Sequence, residues 1–366
     1  MSVIAFIDLF PPFPYTLDTL KNKSTGGTIL ATLLVAKLLS DENEVYLVQK
    51  DSVKTADSDV KYITIQELES IEVDVIVTVR VSFIRDEKYS HYWLKKNFPN
   101  SRIYHWHHLV IKPPYLKEKL LSYFGGNNYF KTIRLLFKSC EENGIDIVAV
   151  SKFHRKNILN LARLYFPAFR KNVYYIYNPT LDAAFDIREN TQVYDNNKII
   201  YFSNPNRGLE RAFSLVKEIR EECPSVVLNV AVPGYFRFSK WGGSEENKLV
   251  KYLGALNRFD LYKNIASSLC VLYPNIGNEE SFGYVYSESN MLGCPVMAHD
   301  CGSASEILSS EEQVLDCRDT ASVVQTFMKW REVSRPAVSL KKNLQIDSIK
   351  TRWHELISLG YVDNSL

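Results

Sequence analysis

No apolar run in this chain approaches the roughly 20 residues that a membrane-spanning helix needs. The sequence also has no low-complexity tract and no internal repeat, which removes repeat architectures. The first predicted strand is not followed by G-x-G-x-x-G, so the usual nicotinamide-dinucleotide fingerprint is missing. The six cysteines, Cys140, Cys223, Cys270, Cys294, Cys301 and Cys317, are scattered without metal-ligand spacing. A secreted disulfide framework does not suit this size and spacing, and the cysteines read as reduced, partly buried thiols of a cytoplasmic protein. The opening MSVIAFIDLFPPFPY carries Asp8 and no basic region. It reads as a first strand and not as a secretory leader.

What is present is an ordinary globular composition: 366 residues, 46% apolar and 23% charged. That length favours two domains over one core. The net charge of +2 hides an asymmetry. Residues 1–180 hold 24 Lys/Arg against 18 Asp/Glu, and the remainder 20 against 24. Residues 101–140 carry seven basic residues and one acid, Glu118. Such a patch favours an anionic partner, either a phosphate-bearing substrate or an acidic membrane surface; the alternative is a solvated face. No nucleic-acid-binding motif accompanies the charge.

Short apolar runs alternate with helical patterns along the chain. Strands are expected at 3–8, 44–48, 74–79, 102–107, 146–150 and 173–177, then at 198–203, 226–232, 250–253, 269–273, 295–298 and 313–315. Continuous apolar strands joined through helices imply parallel sheets covered on both faces. The expected fold is α/β, with two Rossmann-like doubly wound domains at 1–180 and 197–344. A polar linker at 178–197 joins them, and a last helix within 345–366 packs back on the first. Ligands of such sheets bind at the carboxyl ends of the strands, and two sheets facing each other place the site in an interdomain cleft. The segment STGGTILATLLVAKLLSDEN, 24–43, reads as a glycine loop and a helix after the first strand.

One stretch stands out: EESFGYVYSESNMLGCPVMAHDCGSASEI, 279–307. A strand ending near Tyr273 leads into a loop with Glu280, then a helix from about Gly283 to Leu292 that contains Glu288. Backbone N–H groups at Ser281, Phe282 and Gly283 stand at the helix start, where hydroxyls or phosphate are well received. Gly283 permits close approach. A carboxylate accepts two hydrogen bonds at once and so matches vicinal sugar hydroxyls. The plain alternative makes Glu280 an acid favoured by the helix dipole and Glu288 a solvated helix residue.

Glu280-Ser281-Phe282-Gly283, Glu288, Gly293-Cys294-Pro295-Val296 and Gly302…Glu306-Ile307 together resemble the E-x7-E signature of the family 4 retaining glycosyltransferases, which have the GT-B fold. Gly26-Gly27, IVAVSKFHRKNIL, VYYIYNPTLDAAF, IIYFSNPNRGLERAF and YLGALNRFDLYKNIASSLCVLYPN follow in the family's order, over roughly residues 1–310. The resemblance implies a metal-independent, retaining hexosyltransferase. Its donor is a nucleotide-sugar, UDP- or GDP-linked, which is a substrate and not a cofactor. Its acceptor is a glycan, a lipid-linked glycan or another hydroxyl. Glu280 inherits contact with the donor sugar and Glu288 with the ribose hydroxyls. Phe282 and Gly283 amides face the sugar or diphosphate, and Leu256 lies in the segment that holds the base. Arg207 takes the place of the cation that neutralises the leaving diphosphate, a role suited to a guanidinium; as a plain alternative it is a surface residue before a helix. The chain departs from the family in having Phe202-Ser203-Asn204 where many members carry another Arg. Arg211 either supplements Arg207 or faces solvent.

IYHWHHLV, 103–110, ends a strand where the family often has a His. Alternation puts His105 and His107 on one side and Trp106 and His108 on the other. His107 is the candidate for touching substrate; a structural histidine is the alternative. Asp57-Ser58-Asp59 has the D-x-D form of metal-dependent glycosyltransferases of another fold, but reads here as a turn. Residues 112–140 mix basic and aromatic residues. They either lie peripherally on an anionic membrane or pack an apolar face into the first domain. The remaining alternatives are a catalytically silent GT-B binding domain, an epimerase or phosphorylase of the same fold, and a nicotinamide dehydrogenase.

Overall fold

The computed structural model describes residues 1–51, 59–80, 88–112, 128–190, 193–233 and 249–364. The chain forms two compact units. The first comprises Met1–Thr16, Ala31–Asn178 and Asp347–Leu366, and the second Leu17–Leu30 and Pro179–Ile346.

In the first unit the described strands are β1 (Val3–Ile7), β2 (Glu44–Gln49), β3 (Val60–Thr64), β4 (Val75–Val79), β5 (Arg102–Trp106), β6 (Asp146–Ala149) and β7 (Val173–Tyr175). They form one sheet in the order β3-β2-β1-β4-β5-β6-β7. Every pairing is parallel. β4, VIVTV, is buried along its whole length, the mark of a strand covered on both faces. β3 was not expected from the sequence. It is an edge strand with one buried residue, Val60, followed by four exposed or half-buried ones, so its apolar signal is weak. The C-terminal helix Ile346–Leu359 lies in this unit. Its Trp353 packs on Phe6 and Trp106, and Arg352 donates to the Tyr175 carbonyl at 2.8 Å.

In the second unit, β8 (Asp195–Phe202), β9 (Val227–Ala231), β10 (Val250–Gly254), β11 (Ser268–Tyr273), β12 (Val296–His299) and β13 (Val314–Leu315) form a sheet in the order β10-β9-β8-β11-β12-β13. Again every pairing is parallel. The chain winds outward from β8 to β10, then crosses back to β11 and winds the other way. The reversal lies between β8 and β11, and open parallel sheets bind ligands outside the carboxyl ends of the strands at such a point. In the first sheet the equivalent reversal lies between β1 and β4.

The expected polar linker contains a helix, Ala183–Asn190, and β8 starts within it at Asp195. The helix Asn128–Asn143 buries Ile133, Leu136 and Phe137 and exposes Lys131, Arg134 and Lys138. Phe137 stacks on Phe166 at 4.8 Å. The described part of the basic, aromatic segment therefore directs its apolar face into the first unit. Residues 113–127 of that segment, and Asp57 and Ser58, lie outside the described residues. Asp59 pairs with Lys37. Among the described residues no helix is long and apolar enough to cross a membrane. The six cysteines are free thiols; Cys301 is half-buried and the others are buried.

Candidate active site

Two loops leave the reversal point of the second sheet, one after β8 and one after β11. The first, 203–208, is a tight turn: the Arg207 N–H donates to Asn204 O at 2.9 Å and the Asn206 N–H to Asn204 Oδ1 at 3.0 Å. It ends at Gly208, whose φ of +95° opens the helix Leu209–Glu222. A Cβ there would stand 2.4 Å from Pro274 O in the second loop, so glycine is what lets the loops touch. Asn278 Nδ2 donates across to Asn206 O at 2.9 Å.

This packing brings Arg207 onto Glu280. Arg207 Nη1 lies 2.5 Å from Glu280 Oε1 and 3.2 Å from Asn278 O. The Tyr273 hydroxyl donates to the same carboxylate oxygen. Burial opposes the Arg207 charge, but the Glu280 carboxylate and the Tyr273 oxygen outweigh it and hold the guanidinium pKa above its ordinary value. Both side chains keep some contact with water: Arg207 is 31% exposed and Glu280 14%.

The Glu280 backbone is fixed from the other side. It forms a parallel bridge with Gly302, and Glu280 O accepts from the Ser303 N–H at 3.1 Å. Ser303 Oγ donates to Phe282 O at 2.7 Å. Gly302 has a φ of +70°, and a Cβ would lie 2.5 Å from Glu280 N. The two ends of the motif, Glu280 and Gly302, are thus one backbone clamp. Ser281, Phe282 and Gly283 follow, and Gly283, at φ +79°, starts the helix Tyr284–Met291 with no side-chain cap. The first residue of that helix reaches two other segments of the second unit. Its hydroxyl donates to Pro179 O at 3.1 Å, and a Cβ on Gly27 would stand 2.9 Å from its ring. Gly26 and Gly27 therefore count with the second unit, although the helix they open, Gly27–Ser40, continues into the first.

Glu288 is not a solvated helix residue. It is fully buried. Arg258 Nη1 lies 3.0 Å from its Oε2 and 2.9 Å from its Oε1, and the Tyr262 hydroxyl donates to Oε1 at 2.8 Å. Burial raises the Glu288 pKa, against the pull of Arg258 and Tyr262. Arg258 is the first residue of the helix Arg258–Ala266, capped by the Asn257 side chain. Leu256 lies just before that cap, half-buried. Arg211 does not join Arg207. Its guanidinium donates to Cys317 O at 2.8 Å, Arg318 O at 3.1 Å and Thr320 Oγ1 at 2.9 Å.

His107 belongs to the first unit and is 1% exposed. It stacks on His154 at 5.4 Å, and the His105 ring is 5.6 Å away on the same side. His108 packs on Trp106 at 4.5 Å, as alternation requires. Burial holds His105, His107 and His108 well below the usual imidazole range, so they are neutral. At the reversal point of this first sheet, buried Asp8 accepts from Arg80 Nε at 2.7 Å and from the Tyr15 hydroxyl at 2.9 Å. Arg80 has a φ of +79°.

Sequence reasoning missed Tyr273, Arg258, Tyr262 and the Asp8–Arg80 pair. The available signal was position: Asp8 and Arg80 follow strands directly, where doubly wound sheets carry their function. Among the described residues no group of three or more His, Cys, Asp or Glu side chains is placed to hold a metal ion.

The fold is thus two parallel-sheet, Rossmann-like units, and it is the fold of known GT-B glycosyltransferases. The family model described as glycosyl transferases group 1 matches residues 184–345. Among solved structures, the α,α-trehalose 6-phosphate synthase of Burkholderia multivorans aligns over 98% of this chain and 99% of its own, at 10% identity and a TM-score of 0.65. The sucrose-phosphate synthase of Thermosynechococcus elongatus aligns over 98% and 97%, at 14% identity and a TM-score of 0.63. The Anabaena protein HepE, solved with UDP and glucose, aligns over 98% and 100%, at 16% identity and a TM-score of 0.56. A comparison with curated protein sequences gives no match.

Proposed function

We propose that this protein is a retaining, metal-independent glycosyltransferase that moves a sugar from a UDP- or GDP-linked donor to a hydroxyl on a glycan or lipid-linked acceptor. The observation that carries the reading is the Arg207–Glu280 pair at the β8/β11 reversal point. A diphosphate leaving group gains negative charge as the bond from its oxygen to the anomeric carbon breaks. A cation already held in place stabilises that charge without reorganising, and a guanidinium fits two phosphate oxygens. Glu280 offers further acceptor sites on its carboxylate to the hydroxyls of the donor sugar. The acceptor oxygen bonds to the anomeric carbon, and its proton leaves with the diphosphate. No acid is assigned as a covalent nucleophile. The acceptor is assigned to the first unit, where Asp8 and Arg80 mark the reversal point of the sheet.

The test is release of UDP or GDP from a panel of nucleotide-sugars by the purified chain, with and without hydroxyl acceptors. Turnover abolished in Glu280→Gln is the expected result, and the anomeric configuration of the product by NMR reads out retention. Full turnover in Glu280→Gln, or no turnover and no binding across the panel, sinks the proposal. Binding without turnover assigns the alternative, a catalytically silent sugar-nucleotide-binding domain.

A further inference from the structure

Among the described residues, Arg80 is the one non-glycine residue with a left-handed backbone, at φ +79°. A glycine adopts that conformation freely, whereas a long side chain there is strained. Such strain collects at functional sites. Arg80 directly follows β4, the central strand of the first sheet, and so stands at the carboxyl end where doubly wound sheets bind ligands.

Its guanidinium is held from behind. Nε donates to both oxygens of Asp8, at 2.7 and 3.0 Å, and Asp8 has no exposed surface. The Tyr15 hydroxyl donates to Asp8 Oδ2 at 2.9 Å. Tyr15 is tied in turn to Gln49, the last residue of β2. The Tyr15 N–H donates to Gln49 Oε1 at 2.9 Å, and Gln49 Nε2 donates to Tyr15 O at 2.8 Å. All three supporting side chains are buried. A buried ion pair is no better for stability than apolar packing of the same volume, so stability does not account for this scaffold. Holding one cation in a fixed place does. Arg258 and Arg352 each turn both Nη groups to protein oxygens. Arg80 spends only Nε: Nη1 and Nη2 make no hydrogen bond to a described residue, and the side chain is 24% exposed. The end of the fork presents parallel N–H groups, the geometry that takes two oxygens of a phosphate or a carboxylate. His108, just beyond β5, is held neutral by burial and by the Arg80 charge, so it adds no second cation.

We infer that Arg80 is an oxyanion-binding residue positioned by Asp8, and that the acceptor carries a phosphate or a carboxylate which the Arg80 fork takes. The acceptor half rests on the functional reading above; the oxyanion site rests on the geometry alone. Residues 1–180, which supply the sheet of this unit, hold 24 Lys/Arg against 18 Asp/Glu, a balance that draws an anion to the same side. Asp8 offers no surface to a ligand and acts only through Arg80.

Calorimetry on the full chain decides it, with glucose, galactose and N-acetylglucosamine each set beside its phosphate ester, and glucuronate and galacturonate beside their neutral hexoses. Wild type is expected to bind at least one anionic member roughly ten- to 100-fold tighter than its neutral partner. Preference for an ester assigns a phosphate, and preference for a uronate assigns a carboxylate. Arg80→Lys keeps a charge against Asp8 but has no fork. The Asp8→Asn/Arg80→Gln double variant removes both charges together and leaves no lone buried carboxylate. In both, the anionic-to-neutral ratio is expected to fall to about three-fold or less, with neutral-sugar affinity unchanged. Asp8→Asn alone is expected to lower the same ratio by about three-fold or more, which a merely structural role would not do. No preference for any anion in wild type overturns the inference, and so does a preference that survives in Arg80→Lys and the double variant. UDP or GDP affinity that falls about ten-fold in those variants assigns Arg80 to the donor and also overturns it. Turnover of the donor onto neutral sugars alone leaves the functional reading standing and sinks the acceptor half. Anion binding through Arg80 without turnover of any nucleotide-sugar sinks the functional reading and upholds the oxyanion site.

Discussion

Replacing Gly302 by Ala is the most direct way to move Glu280 without touching it. The Gly302 backbone sits at φ +70°, where an L-residue with a Cβ is destabilised by roughly 1–2 kcal/mol. The added Cβ would fall 2.5 Å from Glu280 N and 2.6 Å from Glu280 O. Both are backbone atoms, so no flexible side chain can swing away, and the bridge must open by several tenths of an ångström or more. Overpacking of this kind costs about 1–3 kcal/mol. A total of roughly 2–5 kcal/mol corresponds to a fall in Tm of about 4–20 °C for a domain of 150–250 residues. Glu280 shifts with its backbone, away from Arg207 and Tyr273, and an ångström-scale misplacement of a catalytic group lowers turnover on the order of 100-fold. Calorimetric unfolding and nucleotide release from a donor sugar read the two effects. Gly277→Ala is the control, because a Cβ at Gly277 meets nothing within 4 Å, and it should leave both unchanged. A Gly302→Ala protein that melts within about 1 °C of wild type and turns over donor at the same rate would refute the clamp.

Three further outcomes follow from the same geometry. Arg207→Gln should lower donor turnover by roughly 100- to 1,000-fold while leaving the fold intact, with Arg207→Lys recovering part; a loss under ten-fold in steady-state rates counts against the role of Arg207. Gly208→Ala, with its Cβ 2.4 Å from Pro274 O, should lower the urea midpoint more than Gly254→Ala, where φ is also positive but nothing lies within 4 Å; equal midpoints would refute the loop-contact argument. Burial lowers His91 to about 3 and His154 to about 4, below the value near 6.5 of the unfolded chain, so unfolding takes up protons in acid. The stability tied to these rings is complete above about pH 6.5 and declines as pH falls toward 4 and then 3, by about 1.4 kcal/mol per pH unit for each ring. Urea unfolding between pH 7 and 5 should show that decline and a shallower one in His154→Gln; a flat profile would contradict it.

The two sheets were legible because their central strands are buried on both faces and so read as unbroken apolar runs, as in β11, SLCVLY. β3 escaped because an edge strand keeps one face wet. The assignment of 17–30 to the second unit escaped for a different reason. The helix from Gly27 to Ser40 is continuous, but Gly27 at its start abuts Tyr284 and Thr25 just before it accepts from Arg258, both more than 200 positions away. No local pattern carries such a contact. The same holds within the site. Glu280 and Gly302 announce themselves by type and spacing, since an acid and a glycine in loops after strands have few other reasons to be there. Glu288 announces only that it is an acid in a helix; whether it faces a ligand or a buried arginine depends on residue 258, which spacing does not connect to it. Arg211 shows how periodicity fails at an element boundary. Its place four residues after Arg207 implies a shared face only if both belong to one helix. Gly208, left-handed at φ +95°, ends the loop between them, so Arg207 follows the loop toward Glu280, and Arg211 follows the helix toward the 317–320 turn.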